Sequence, residues 1–309
     1  MSVHKKFFSK IGFNYLILAV SAIVFQVIIA NILALINPTY LNDINITTTL
    51  VSICNYFLPF PIFYWLMKRL KSQRIEKNKI NAKTFITYIG ITMTLMWIGN
   101  IIGLIITASI GGVIQNDIAN PIQQLINNTS LWFNIIIISI IAPIFEEILF
   151  RKFLIDRTIK YGARISIILS AVIFALFHGN LNQFFYALLI GGFFAYVYIK
   201  TGKIIYSIIL HLFVNLMGSV VSLFVSNAIM NLENSLNTFD IIFLLVYISI
   251  LLILIVIGII GLSRYKQAKF NCSKTAIQLK KPFNTAFLNY GMICFVGFFL
   301  IKIIRQLFS

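Results

Sequence analysis

Two adjacent carboxylates, Glu146 and Glu147, close an apolar run from Ile136 to Phe150, and Arg151 follows them. Downstream, His178 and His211 each stand inside apolar sequence, and Asn215 follows His211 by four residues. Ionisable side chains in apolar runs are costly and are functional by default. A carboxylate can take a proton from water. Neutral imidazole and amide groups can donate to an oxyanion, the amide without titrating. A guanidinium stays charged and can hold a second carboxylate ionised. Peptide hydrolysis needs such groups: an activated water, an oxyanion stabiliser and a positioned substrate. Glu146, His178, His211 and Asn215 are also a nitrogen/oxygen set for zinc or another divalent ion, with the amide as a weak member. The residues leave both chemistries open.

Helical spacing sorts these side chains. Glu147 and Arg151 are i and i+4 with the acid on the N-terminal side, the favourable order for an ion pair. Glu146 is turned about 100° away. Phe174 and His178, and likewise His211 and Asn215, are i and i+4, so each pair shares a face. Phe174 is read as packing. Plainer readings exist for each group. Glu146, Glu147 and Arg151 could form an interfacial cluster that snorkels to water. His178 could cap a helix end, and His211 with Asn215 could be interhelical hydrogen-bond glue. The sequence holds no His-Glu-x-x-His, Gly-x-Ser-Gly or Gly-x-Gly-Asp pattern, which sets aside three other peptidase chemistries.

The elements that must carry these residues are membrane spans. The 309-residue chain is 60% hydrophobic and 11% charged, and its apolar residues come in long runs. At about 20 residues per span, nine segments qualify: 12–36, 47–67, 84–109, 131–150, 165–178, 182–199, 203–226, 240–262 and 284–304. The expected fold is an all-α polytopic transmembrane bundle of eight to nine spans, since lipid-exposed backbone must bond to itself. No β-barrel alternation or inverted repeat is visible, which disfavours a porin or a transporter. The first apolar stretch is too long for a signal-peptide core and is read as a retained span.

Charge placement sets the topology. The N-terminal tail, 68–83, 151–164, 200–203 and 263–283 hold 23 of the 25 Lys and Arg, and 37–46, 110–130 and 227–239 hold none. This bias predicts a cytoplasmic N-terminus and argues against a nucleic-acid partner despite the net charge of +17. Lys302 and Arg305 fall outside the pattern, so the last segment either spans or lies at the surface. The fifth and sixth segments read as a short hairpin turning at 179–181. Asn180 and Asn182 are read as turn residues, and Gly191-Gly192 as a site of close helix approach. Asn55, Pro59 and Pro61 predict a kink in the second span. Cys54, Cys272 and Cys294 have no metal-ligand spacing and read as small hydrophobes, buried where they lie in apolar segments.

Glu146-Glu147-Ile148-Leu149-Phe150-Arg151, Phe174-Ala175-Leu176-Phe177-His178 and His211-Leu212-Phe213-Val214-Asn215 resemble, in order, the three motifs of the CPBP family, the CAAX-protease and bacteriocin-processing family also called Abi. The resemblance covers about residues 130–220. It implies an intramembrane endopeptidase cleaving near the cytoplasmic face. Glu146 would be the general base, holding a water with His178. His211 and Asn215 would form the oxyanion site, and Glu147 with Arg151 would keep Glu146 aligned. The family is described both as glutamate and as metallo-peptidases, and a metal form would use Glu146, His178 and His211. Implied substrates are prenylated CAAX tails or, in bacteria, leader-bearing peptides such as bacteriocins and signalling peptides. The Ile-, Asn- and Lys-rich composition favours a bacterial plasma membrane, where the sequons at Asn45, Asn127 and Asn128 carry no glycan. The chain then divides into N-terminal spans (1–130), a CPBP-like core (131–226) and C-terminal spans (227–309). The competing expectation is a non-catalytic immunity factor or scaffold.

Overall fold

The computed structural model describes residues 1–115, 118–234, 237–265 and 276–308. Among these no strand occurs, and the regular structure is helical. The main elements are α1 (Val3–Ile36), α2 (Ile44–Tyr56), α3 (Phe60–Lys68), α4 (Ala82–Ile114), α5 (Leu131–Tyr161), α6 (Ala163–Phe177), α7 (Leu181–Thr201), α8 (Ile204–Asn234), α9 (Thr238–Tyr265) and α10 (Tyr290–Leu307). Eight helical stretches are long and apolar enough to cross a membrane, with α2 and α3 together making one of them. The protein is therefore a multi-pass, all-helical integral membrane protein. The nine predicted segments are all present. Only α6, at 15 residues, falls short of spanning length.

Local sequence explains where these helices start and break. Pro59 and Pro61 lack the N–H needed to continue α2, so the second span breaks at Phe57–Pro59 and resumes as α3. The α6–α7 hairpin turns through Gly179, whose φ of 66° disfavours a side chain. A Cβ there would also collide with the Lys302 stem on α10. Asn180 then caps α7, its side chain accepting from the Gln183 N–H at 2.8 Å.

Three predictions need correction. The fourth span does not end at 150. α5 continues as helix to Tyr161, so the basic segment 151–164 is largely not a loop. Its charges are tolerated because partners meet them. Arg157 donates to the carbonyls of Met67 and Phe153, and Asp156 accepts from Tyr198 and pairs with Lys152. Arg151 is completely buried, which excludes the snorkelling cluster. The sixth span, α7, reaches 21 residues, so the hairpin is short on one limb only. Cys294 faces outward from α10, whereas Cys54 is buried. Cys272, Asp117 and much of the basic segment 263–283 lie outside the described residues.

The last segment crosses the bundle rather than lying along its surface. At its start, the Gly291 N–H donates to Ser9 Oγ at 2.9 Å beside the first turns of α1. Gly12 and Gly291 touch so closely that a Cβ on Gly12 would come 2.4 Å from the Gly291 carbonyl carbon. At its far end, Gln306 donates to the Ala119 carbonyl at 3.0 Å, in the connection after α4. Thus α10 runs parallel to α1. Its Phe299 ring meets Phe177 of α6 at 5.2 Å, while α7 packs between α4 and α6. The basic segment 68–83 is pinned to the core by backbone bonds from Gln73 to Asp156 and from Asn78 to Thr201.

Candidate active site

Glu146 is the middle residue of α5, not a residue at the end of a span. The helix is widened to π geometry on both sides of the glutamates, at Asn134–Ile141 and Ile148–Phe153. Such bulges are frequent at functional sites. The first has a visible cause. The Ala142 N–H bonds to the Ile137 carbonyl, and Pro143, five residues after Ile138, has no N–H to offer. Asn215 of α8 supplies the missing donor, its Nδ2 reaching the Ile138 carbonyl at 2.8 Å. Around the second bulge, the carbonyls of Leu149 and Phe150 accept from Tyr15 Oη at 2.6 Å and Ser170 Oγ at 2.9 Å.

The two glutamates are sharply divided. The Glu147 side chain has no solvent exposure. Its Oε2 lies 3.2 Å from Arg151 Nε, and its Oε1 accepts from His211 Nδ1 at 2.9 Å. The predicted i, i+4 ion pair is thus present, and a histidine from α8 closes its other side. The Glu146 side chain is 18% exposed. Its Oε2 lies 3.5 Å from His211 Nε2, and its Oε1 accepts from Tyr56 Oη at 3.3 Å. His211 therefore bridges both carboxylates, one on each ring nitrogen.

Phe174 organises the remainder. Its ring lies 4.8 Å from the His178 ring and 5.6 Å from the His211 ring, with the Arg151 guanidinium 4.4 Å from its centroid. Gly191 of α7 makes room for it, since a Cβ there would sit 2.7 Å from Phe174 Cδ1. The same residue's carbonyl lies 3.4 Å from Arg151 Nη2. The other nitrogen of that fork, Nη1, has no hydrogen-bond partner. Phe194 adds a second ring beside His211, at 5.4 Å. His178 Nδ1 donates to the Phe174 carbonyl at 2.9 Å, which leaves Nε2 as its acceptor nitrogen.

The three sequence motifs therefore converge on one place from α5, the end of α6, and α8. Tyr56 was not singled out in the sequence. Its only signal was its position beside the proline-marked kink. The roles of Phe194 and the Ile138 carbonyl were not legible either. For a metal, the residues do not fit as they stand. Among the described residues no group of three or more His, Cys, Asp or Glu side chains is arranged so that it could hold a metal ion. Both nitrogens of His211 face glutamates, and one nitrogen of His178 is held by backbone.

No curated protein and no solved structure matches the chain. Residues 128–217, less than a third of its length, match the family described as type II CAAX prenyl endopeptidase Rce1-like. This segment holds all three motifs and all six candidate site residues, and the match agrees with the resemblance to the CPBP, or CAAX-protease, family.

Proposed function

We propose that the protein is an intramembrane endopeptidase in which Glu146 activates water, with its N-terminus and basic segments on the cytoplasmic side. The observation that carries this reading is the division of labour between the glutamates. Glu147 is consumed by Arg151 and His211, while Glu146 keeps partial access and faces an imidazole nitrogen. A water held between Glu146 and His178 Nε2 would lose its proton to Glu146 as its oxygen attacks the scissile carbonyl. His211 presents Nε2 toward this water. Its other ring nitrogen, Nδ1, is committed to Glu147, which fixes the ring so that Nε2 faces the place where the oxyanion would form. The second N–H of the Asn215 amide is the other donor, the first being engaged by Ile138. Glu146 then returns its proton to the leaving amine, so the cycle closes on water and one peptide bond.

The substrates proposed are peptides or membrane-anchored proteins delivered from the cytoplasmic side, of the leader-bearing bacterial kind or with CAAX-type tails. The depth of Glu146 in α5 means that the scissile segment must enter the bundle. The test is a set of fluorescence-quenched, lipid-anchored peptides presented to the protein in liposomes. Wild type cleaves at least one, and Glu146→Gln lowers that rate at least a hundredfold while leaving the thermal midpoint unchanged. Cleavage by Glu146→Gln at the wild-type rate would overturn the reading.

A further inference from the structure

A glutamate that serves as a base must be held to within about 0.5 Å of its working position. Its own helix does not do this for Glu146, because the neighbouring Glu147 and Arg151 pair with each other on another face. Each carboxylate oxygen is instead met by a different element. His211 of α8 approaches Oε2, and Tyr56 of α2 donates to Oε1. Tyr56 is the last residue of α2 before the break at Phe57–Pro59. Non-helical backbone at membrane depth is tolerated where it is buried in protein or lines a cavity. Here the break lies against Phe145, the residue before Glu146. The rings of Tyr56, Phe57 and Phe60 stand 5.9, 4.8 and 5.7 Å from the Phe145 ring. The aromatic cluster therefore fixes the end of α2, and with it the hydroxyl, relative to the carboxylate.

We infer that Tyr56 is a positioning residue for Glu146, aimed by the break in the second span and braced by the rings around Phe145. The inference rests on the peptidase reading, because it assigns a partner to the base of that reaction. It extends the working site beyond residues 128–217 into the N-terminal spans. The hydroxyl proton occupies Oε1 and so directs the free lone pairs of Oε2 toward His211 and the attacking water.

The experiment uses the reporter peptide that wild type cleaves best, with full-length protein in liposomes. Tyr56→Phe keeps the ring and its contact with Phe145 and removes only the donor. We expect kcat to fall about tenfold, the worth of one charge-assisted hydrogen bond, with KM and the thermal midpoint unchanged. Tyr56→Leu and Tyr56→Gln both lose the ring, but Gln retains a donor, so Gln should be several-fold the faster of the two. Wild-type kcat in Tyr56→Phe, or equal rates for Leu and Gln, would overturn the assignment. A thermal midpoint that falls in step with kcat would do the same by showing a structural role. Glu146→Gln is measured alongside. If it cleaves like wild type, the peptidase reading itself fails. If it is inactive while Tyr56→Phe is normal, only the role of Tyr56 is lost.

Discussion

Glu147 and Arg151 have no exposed side-chain surface, so neither can lose its partner cheaply. Removing one member of a buried pair leaves an uncompensated charge and costs about 3–5 kcal/mol. Arg151→Ala is therefore expected to lower both accumulation in the membrane and the thermal midpoint. Removing both charges, in Arg151→Met with Glu147→Gln, should recover much of that loss. An Arg151→Ala protein as stable as wild type would contradict the pairing. At this scale the sequence was informative, since the i, i+4 order of Glu147 and Arg151 follows from helix geometry alone. It was silent on Tyr56, because that contact joins residues ninety positions apart and depends on where a broken helix happens to stop.

The π-widened stretch of α5 ties an element to a motif. Asn215 stands in for the N–H that Pro143 lacks, so its loss leaves the Ile138 carbonyl unsatisfied, at a cost of about 1–3 kcal/mol. Asn215→Ala should be less destabilising in a Pro143→Ala background, where position 143 regains an N–H. Strictly additive losses in a double-mutant cycle, read by thermal midpoint, would refute this compensation. The contact between α1 and α10 makes a second element-level prediction. Gly291→Leu must push the two helices apart, because a Cβ at Gly291 already lies on the Ser9 carbonyl oxygen. A clear drop in thermal midpoint is expected, and an unchanged one would show that α10 does not pack as described. Element lengths were only partly legible. The proline break and the short α6 could be read directly. The extension of α5 past Arg151 could not, because Arg157 and Asp156 look like loop charges until Met67, Phe153 and Tyr198 are found beside them.

For the whole molecule, the span count and the all-helical class follow from the length of the apolar runs. Only packing shows that α10 crosses the bundle parallel to α1, with one end beside Ser9 and the other at Ala119. The proposed orientation rests on the sequence bias by which 23 of the 25 Lys and Arg fall in the tail and in the connections between alternate apolar runs. In a background with Cys54, Cys272 and Cys294 replaced, Lys71→Cys should react with an impermeant maleimide only in inverted vesicles, and Asn45→Cys only in right-side-out ones. The reverse pattern would overturn the topology and the side of substrate delivery. The central claim is that Glu146 performs peptide hydrolysis. Its most direct measurement compares cells carrying wild type with cells carrying Glu146→Ala at matched protein level, reading membrane-associated and secreted peptides by mass spectrometry. The account predicts at least one peptide whose mature form disappears in the variant while its precursor accumulates. Identical peptide profiles, with any phenotype rescued equally by both proteins, would contradict it and favour a non-catalytic role.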